Sequence, residues 1–312
     1  MRILFMGTPQ FALDSLQLLL EAGKQLVGVI TQPDRPRGRG RIITPSPVKA
    51  LAQKKNLLVY QPQDLKDPAV LKKLGTLQPH LIVVVAYGKI LPREILDLPT
   101  KGCINLHASL LPRYRGAAPI QWALMKGERI TGVTTMYVDE ALDEGDIILQ
   151  SEVPILSSDT MGSLHDKLSS AGAELLLETV EKISSGTAPR TPQPEKGATF
   201  APPLKRSHEI LDWTRTAREL WFQVRALNPR PGATTYWRGS ILKVWDVAPV
   251  RENGKEEQPG EIVAVDKREG IFVKTGSGLL HLKELQPAGK QRMSASDFAR
   301  GYGAKVGVVL GK

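Results

Sequence analysis

Asn105, His107 and Asp143 are the side chains in this sequence whose types, taken together, could carry a reaction. The first two sit in "CINLHASLLPRYRG" (103–116), and the third in the acidic stretch "LDEGD" (142–146). Residues two apart on a strand point to one face, so an amide and an imidazole would look the same way from the end of an apolar run. An amide donor and an imidazole can polarise a carbonyl and hold its developing oxyanion. A carboxylate can orient the imidazole and help relay protons. That is a toolkit for acyl transfer. Residue types alone leave a second reading open, in which Asn105 and His107 are a satisfied polar pair on a strand.

Little else competes for a chemical role. Cys103 is the single cysteine, which excludes an internal disulfide and a cysteine-rich zinc site. It lies inside the same apolar run and reads as a small core residue. His80, His165, His208 and His281 stand alone and read as structural or surface residues. "MGTPQF" contains one glycine and is no dinucleotide fingerprint, which speaks against a nicotinamide-dependent dehydrogenase. No phosphate-binding Walker sequence, H-E-x-x-H helix or G-x-S-x-G elbow occurs.

The three residues need a scaffold, and the apolar pattern supplies one. "RILFMG" is a strand ending in Gly7, with Thr8 as the expected N-cap and Pro9 at the first helical position. "LVGVIT" is a second strand, "PAVLKKLGTLQ" a helix, and "HLIVVVAYG" a buried strand. "GCINLHA" is a further strand, and "AAPIQWALMKGE" a helix. "GVTTMYVD" and "DIILQSEVPI" follow as strands, and a long helix runs from Asp159 to Ser185. Strands alternating with helices imply an α/β fold, a Rossmann-like open and mostly parallel sheet with helices on both faces. Ligands bind such sheets beyond the carboxyl ends of the strands, which puts Gly7, Tyr87 and His107 on one edge.

At 312 residues the chain suits two domains. Residues 1–189 form the α/β part. Residues 190–205, rich in Pro, Gly and Thr, read as a linker. Residues 206–312 hold one amphipathic helix and about five short strands separated by Gly- and charge-bearing turns, as expected of an OB-like β-barrel. The net charge is +10, and it is uneven. Before residue 203 there are 23 Lys and Arg against 20 Asp and Glu; after it, 19 against 12. A basic second domain points to a polyanion such as nucleic acid, with plain solubility as the other reading. No apolar run approaches the roughly 20 residues that span a bilayer, and "MRILFMGTP" reads directly as strand and turn, so the expected address is the cytoplasm with no membrane partner.

"INLHASLLPRYRGAAPIQWAL", followed by "TGVTTMYVDEALDEGDII", resembles the folate-dependent formyltransferases. "RILFMGTPQFA", "VITQPDRPRGRGR", "PSPVK", "VVAYGKILP" and "LNPRPGATTYW" extend the likeness, in order, over nearly the whole chain, and match the branch that acts on methionyl-tRNA. The resemblance implies that Asn105, His107 and Asp143 are catalytic. It implies that Ser109, Leu110, Leu111 and Pro112 cradle the folate, and that Tyr87, Gly88, Lys89, Ile90 and Leu91 lie on a strand lining the pterin pocket. The implied co-substrate is 10-formyltetrahydrofolate, without a metal, and the implied partner is initiator methionyl-tRNA, bound by a monomer.

"DRPRGRGR" carries Arg35, Arg37, Arg39 and Arg41. Alternate arginines on a glycine-bearing loop can track phosphates or stack on unpaired bases, although such runs are also common as solvated loops. In the family this insertion contacts the acceptor end of the tRNA. A formyltransferase acting on glycinamide ribonucleotide or an amino sugar nucleotide would share the three catalytic residues without needing the arginine run or the basic second domain. A pure RNA-binding module would leave those three residues idle. One departure from the family pattern is "ALDEG", where a glycine before the Leu and a threonine after the Asp are more usual.

Overall fold

The structure is a computed structural model describing residues 1–37, 42–251 and 257–311; of Arg37 and Ile42 only the backbone is described. The chain divides into two compact units. One takes Met1–Pro119, Ile130–Pro154 and His165–Pro202, and the other Ile120–Arg129, Ile155–Leu164 and Pro203–Lys312.

The elements of the first part are β1 (Arg2–Gly7), α1 (Leu13–Glu21), β2 (Gln25–Ile30), β3 (Arg35–Arg37), β4 (Ile42–Thr44), α2 (Pro47–Lys54), β5 (Val59–Tyr60), α3 (Pro68–Thr76), β6 (Leu81–Val85), α4 (Arg93–Leu96), β7 (Cys103–His107), α5 (Pro119–Met125), β8 (Ile130–Tyr137), β9 (Ile147–Pro154) and α6 (Met161–Ser185). The sheet runs β5-β2-β1-β6-β7-β8-β9. The first five strands are parallel, and β8 and β9 are antiparallel. Every residue of β6, "LIVVV", is buried, as a strand covered on both faces requires.

Strand order reverses between β1 and β6, which is where open sheets of this kind leave a crevice at their carboxyl edge. Gly7 pairs with Val85 and Val85 with Leu106, so β1, β6 and β7 end together there. A Cβ on Gly7 would come within 2.8 Å of Phe5 and 3.0 Å of the Val85 carbonyl oxygen, so only glycine fits. Thr8 does not cap a helix. A 3-10 turn starts at Gln10 with Pro9 in the cap position, and the Thr8 hydroxyl instead donates to the Tyr87 carbonyl (3.1 Å). The long helix starts at Met161 rather than Asp159, because the Asp159 carboxylate is spent accepting from the Leu156 N–H (2.7 Å) and the Ser163 hydroxyl (2.9 Å).

The second unit adds α7 (Ala217–Leu227), β10 (Ala233–Trp237), β11 (Ser240–Val250), β12 (Ile262–Asp266), β13 (Gly270–Lys274), β14 (Leu279–Pro287), β15 (Met293–Ser294) and α8 (Ala295–Tyr302). Its antiparallel sheet runs β10-β11-β14-β13-β12, with β15 against β14. The edges carry single bridges, Ile210–Thr234 and Glu261–Val309. Leu220, Val224 and Leu227 of α7 and Phe298 of α8 share a core with Val244, Leu282 and Leu285 of the sheet. The molecule is therefore α/β with a mostly parallel Rossmann-like sheet and a separate antiparallel β body, the class the alternation of elements implies. No helix among the described residues is long and apolar enough to cross a membrane.

Candidate active site

β7 carries Asn105 and His107 to the carboxyl edge of the sheet, and β8 runs beside it so that Asn105 faces Met136 and His107 faces Thr134. His107 is buried. Its Nε2 donates to the Tyr114 carbonyl (2.9 Å), and its Nδ1 lies 3.6 Å from Asp143 Oδ2, an ion pair when the ring is protonated. Asp143 is buried as well, and its Oδ2 accepts the Gly116 N–H at 2.9 Å. Asn105 is half-buried, and its carboxamide hydrogen-bonds no described residue. The imidazole and the carboxylate are thus held by the protein, while an amide on the same face of β7 is left for something else.

Both turns that deliver this pair are held in unfavourable backbone conformations. Tyr114 sits at φ 61° and Asp143 at φ 56°, in the left-handed region that side chains with a Cβ rarely occupy. A Cβ at Gly116 would approach the Ala201 carbonyl oxygen to 2.8 Å, and one at Gly145 the Tyr137 carbonyl oxygen to 1.9 Å. The acidic loop folds back on its own strand because residue 145 has no side chain.

Ser109 to Pro112 are anchored more than exposed. The Ser109 hydroxyl donates to the Arg113 carbonyl (2.6 Å). Thr134 of β8 donates to the Ser109 carbonyl (2.7 Å) and accepts from Leu111 N–H (3.1 Å). Gln150 donates to the Leu111 carbonyl and to Thr134 Oγ1, both at 2.9 Å. Leu110 packs where a Cβ on Gly132 would collide with it, and Pro112 accepts from the Thr199 N–H (3.2 Å). The segment is a fixed wall.

Tyr87 to Leu91 do not form a strand, as the sequence implies; β6 stops at Val85 and residues 86–91 are loop. The break follows from Ala86 and Gly88, which take φ 48° and 85° and cannot continue a pleat. Tyr87 turns its ring into the core, where burial pushes its phenol up to about 12 and leaves the hydroxyl without a partner. Its carbonyl accepts from Thr8 and from Gln32 Nε2 (3.2 Å). Lys89 Nζ donates to the Gln63 carbonyl (2.6 Å). Ile90 is 79% exposed, and Leu91 is buried. A cavity of about 640 Å³ opens beside Val138–Ala141, the run leading to Asp143, with Leu96, Cys103 and Arg190 in its wall. Tyr87–Leu91 do not line it. Burial pushes the Cys103 thiol up to about 12, with the nearby Asp97 carboxylate adding to the effect.

The arginine run contains order that its composition hides. β3 and β4 form a short antiparallel ribbon, with Arg35 opposite Thr44 and Arg37 opposite Ile42. Arg35 is exposed, with Nη2 3.5 Å from Gln32 Oε1. Arg39 and Arg41 lie outside the described residues. The base is tied by Lys49 to Asp34 (2.5 Å) and by Gln61 to Asp34 and to the Gln32 carbonyl. Gln32 therefore touches both the ribbon and the Tyr87 carbonyl.

Sequence reasoning misses Arg115, Glu144 and Gln193. Arg115 is buried; it donates to Gln193 Oε1 through Nε and Nη2 (3.1 and 2.9 Å) and pairs with Glu144 (2.9 Å). Glu144 is the residue after Asp143, where the chain departs from the usual pattern. Among the described residues, no group of three or more His, Cys, Asp or Glu side chains could hold a metal ion.

A family pattern described as formyl transferase matches residues 1–180, and one described as formyl transferase, C-terminal domain, matches residues 203–303. The chain is similar to proteins named methionyl-tRNA formyltransferase. The one from Pelotomaculum thermopropionicum is 51% identical, over 100% of this chain and 99% of its own length. The one from Bacillus subtilis is 50% identical, over 99% and 98%. Among solved structures, HypX from Aquifex aeolicus in complex with tetrahydrofolic acid aligns with a TM-score of 0.67 at 20% identity, covering 98% of this chain and 48% of that one. WlaRD, a sugar 3N-formyl transferase, aligns at 0.66 and 19% identity, covering 93% and 99%. At such identities these two speak for the fold alone.

Proposed function

The chain belongs to the formyl transferase family, and from that premise we propose that it transfers the formyl group of 10-formyltetrahydrofolate to the α-amine of initiator methionyl-tRNA. The observation that carries this reading is identity of about half along the full chain to proteins of that activity. Transfer to an amino sugar nucleotide has weaker support, because the sugar formyltransferase is 19% identical.

The folate supplies a formyl carbon bonded to a nitrogen that leaves once protonated. Asn105, whose carboxamide has no partner among the described residues, donates to the formyl oxygen as negative charge builds on it. His107 Nε2–H, which rests on the Tyr114 carbonyl, turns to the same oxygen and gives the second donor. Removing one such donor typically costs about a hundredfold in rate. The substrate amine is the nucleophile, so the chain needs no serine or cysteine in that role. As the carbon–nitrogen bond breaks, His107 gives its Nε2 proton to N10 of the leaving folate and takes up the proton of the attacking amine in its place, while Asp143 keeps the ring oriented. The wall of Ser109–Pro112 excludes water from one side. Arg35, Arg37, Arg39 and Arg41 meet the acceptor end of the tRNA. The basic second unit steers the rest of it, with Lys205, Arg206, Lys243, Lys274 and Lys283 as the contacts.

The test is formyl transfer from 10-formyltetrahydrofolate to charged initiator tRNA, compared with charged elongator tRNA. Turnover on the initiator and a fall of a hundredfold or more in His107→Ala are expected. Near-normal turnover by His107→Ala would end the assignment of the imidazole, and absence of transfer to any methionyl-tRNA would end the reading as a whole.

A further inference from the structure

Composition marks 190–205 as a linker, yet its first dozen residues are bonded at both ends to the turns that deliver the reactive pair. Thr191 exchanges both backbone hydrogen bonds with Ile147 (2.8 and 3.0 Å), just past the acidic loop. Thr199 N–H donates to the Pro112 carbonyl and Ala201 N–H to the Arg115 carbonyl. Arg115 N–H and Ala118 N–H answer by donating to the carbonyls of Thr199 and Ala201. The Thr199 hydroxyl accepts the Tyr114 N–H (2.9 Å). Residues 191–201 are thus a strap fastened to the loop of Asp143 on one side and to the turn of Tyr114 on the other.

Gln193 lies between the two fastenings with every bonding position of its amide in use. Nε2 donates to the carbonyls of Asp143 and Gly145, both at 2.9 Å, and Oε1 takes two N–H groups of Arg115. The amide can sit only this way round, since carbonyls only accept and a guanidinium only donates. One of its two N–H bonds falls on the carbonyl of Asp143 itself, the loop residue that carries both the carboxylate and a left-handed backbone, and the other on Gly145 two residues further on. Such a conformation persists only where its surroundings over-determine it. We propose that Gln193 is a positioning residue: from the strap it holds the Asp143 backbone in the conformation that keeps the carboxylate against His107. The proposal rests on the reading of Asp143 as the partner of His107 in formyl transfer.

The test uses the full chain with two variants. Gln193→Glu keeps the shape and the acceptor for Arg115 while turning an oxygen toward two carbonyls. Gln193→Met keeps the length and neither set of bonds. A displacement on the order of 1 Å at reacting groups costs about a hundredfold, so kcat is expected to fall by roughly that factor. KM for folate and for methionyl-tRNA is expected to stay within about threefold of wild type. In an Asp143→Asn background the same substitutions are expected to change kcat no further, because the group they act through is gone. A folded Gln193 variant with wild-type kcat would overturn the proposal, and so would a loss that multiplies that of Asp143→Asn. Should one variant fail to fold, the other carries the same expectation. Wild-type turnover by Asp143→Asn alone would instead overturn the reading of Asp143, and the proposal with it.

Discussion

Which side chains around β7 remain free to react is decided by what the protein has already done with them. His107 has an oxygen opposite each ring nitrogen, and Ser109 gives its hydroxyl to the Arg113 carbonyl. Cys103, on the same strand, is 3% exposed, with Sγ 3.8 Å from the Ile95 carbonyl. A thiol pushed up to about 12 is thiolate in about one molecule in ten thousand at pH 8, and only the thiolate is nucleophilic. Cys103 is therefore expected to resist iodoacetamide in the native protein at pH 8 and to alkylate fully in denaturant, as mass spectrometry would read. Rapid native labelling would contradict its burial. The meeting of His107 with Asp143, 3.6 Å apart, is what the sequence leads one to expect, from residue types and from the family likeness. Gln193 is not legible. It is one glutamine in a proline-rich run, and its meaning comes from partners 50 residues away at Asp143 and 78 away at Arg115. The left-handed Ala86, Tyr114 and Asp143 are hidden for a related reason, since composition signals that conformation through glycine or asparagine and here tertiary contacts impose it.

At the scale of elements, apolar period and cap chemistry translate well wherever a segment settles its own hydrogen bonds. α7 is the plainest case: the Thr216 hydroxyl accepts the Glu219 N–H (3.2 Å), and Glu219 accepts the Thr216 N–H (3.0 Å), a capping box written in "TARE". The Glu219 carboxyl is held below the ordinary carboxylate range, first by that Thr216 backbone N–H and then by the Thr216 hydroxyl. A carboxyl held low in the folded chain adds stability above its unfolded range and loses it as pH falls through the folded value. Thr216→Ala is expected to cost about 1 kcal/mol. The deficit of Glu219→Gln is expected at pH 7 and gone once the pH drops below the carboxylate range, as thermal melts at the two pH values would report. A pH-independent deficit would mean that the charge plays no part. Thr8 is the counterexample. "GTP" reads as a cap, but the hydroxyl goes to Tyr87, 79 residues away, because β1 and β6 must be joined where the strand order reverses. The strand expected across 86–91 fails likewise, since the turn at Ala86 serves the crevice and not the sheet.

Across the whole chain the excess of positive charge favours a polyanionic substrate and leaves small ligands indifferent. Each phosphate neutralised releases counterions, so apparent affinity for nucleic acid falls steeply with salt. Between about 50 and 200 mM salt, KM for methionyl-tRNA is expected to rise by an order of magnitude or more, while KM for the folate stays nearly constant. Neutralising Arg39 is expected to flatten that salt dependence without weakening folate binding. Equal loss for both substrates would argue against the role given to the arginine run. The fold class was readable from alternation, and the concentration of positive charge in the second part from counting. The division into units was not, because 191–201 look unstructured by composition yet belong to the first unit through Gln193, Thr199 and Ala201. Engineers who graft or trim this enzyme would naturally cut at residue 189, past the helix end at Ser185 and where the prolines begin. Such a cut would discard the clasp on the acidic loop; a seam at Pro202 keeps it with the half it serves.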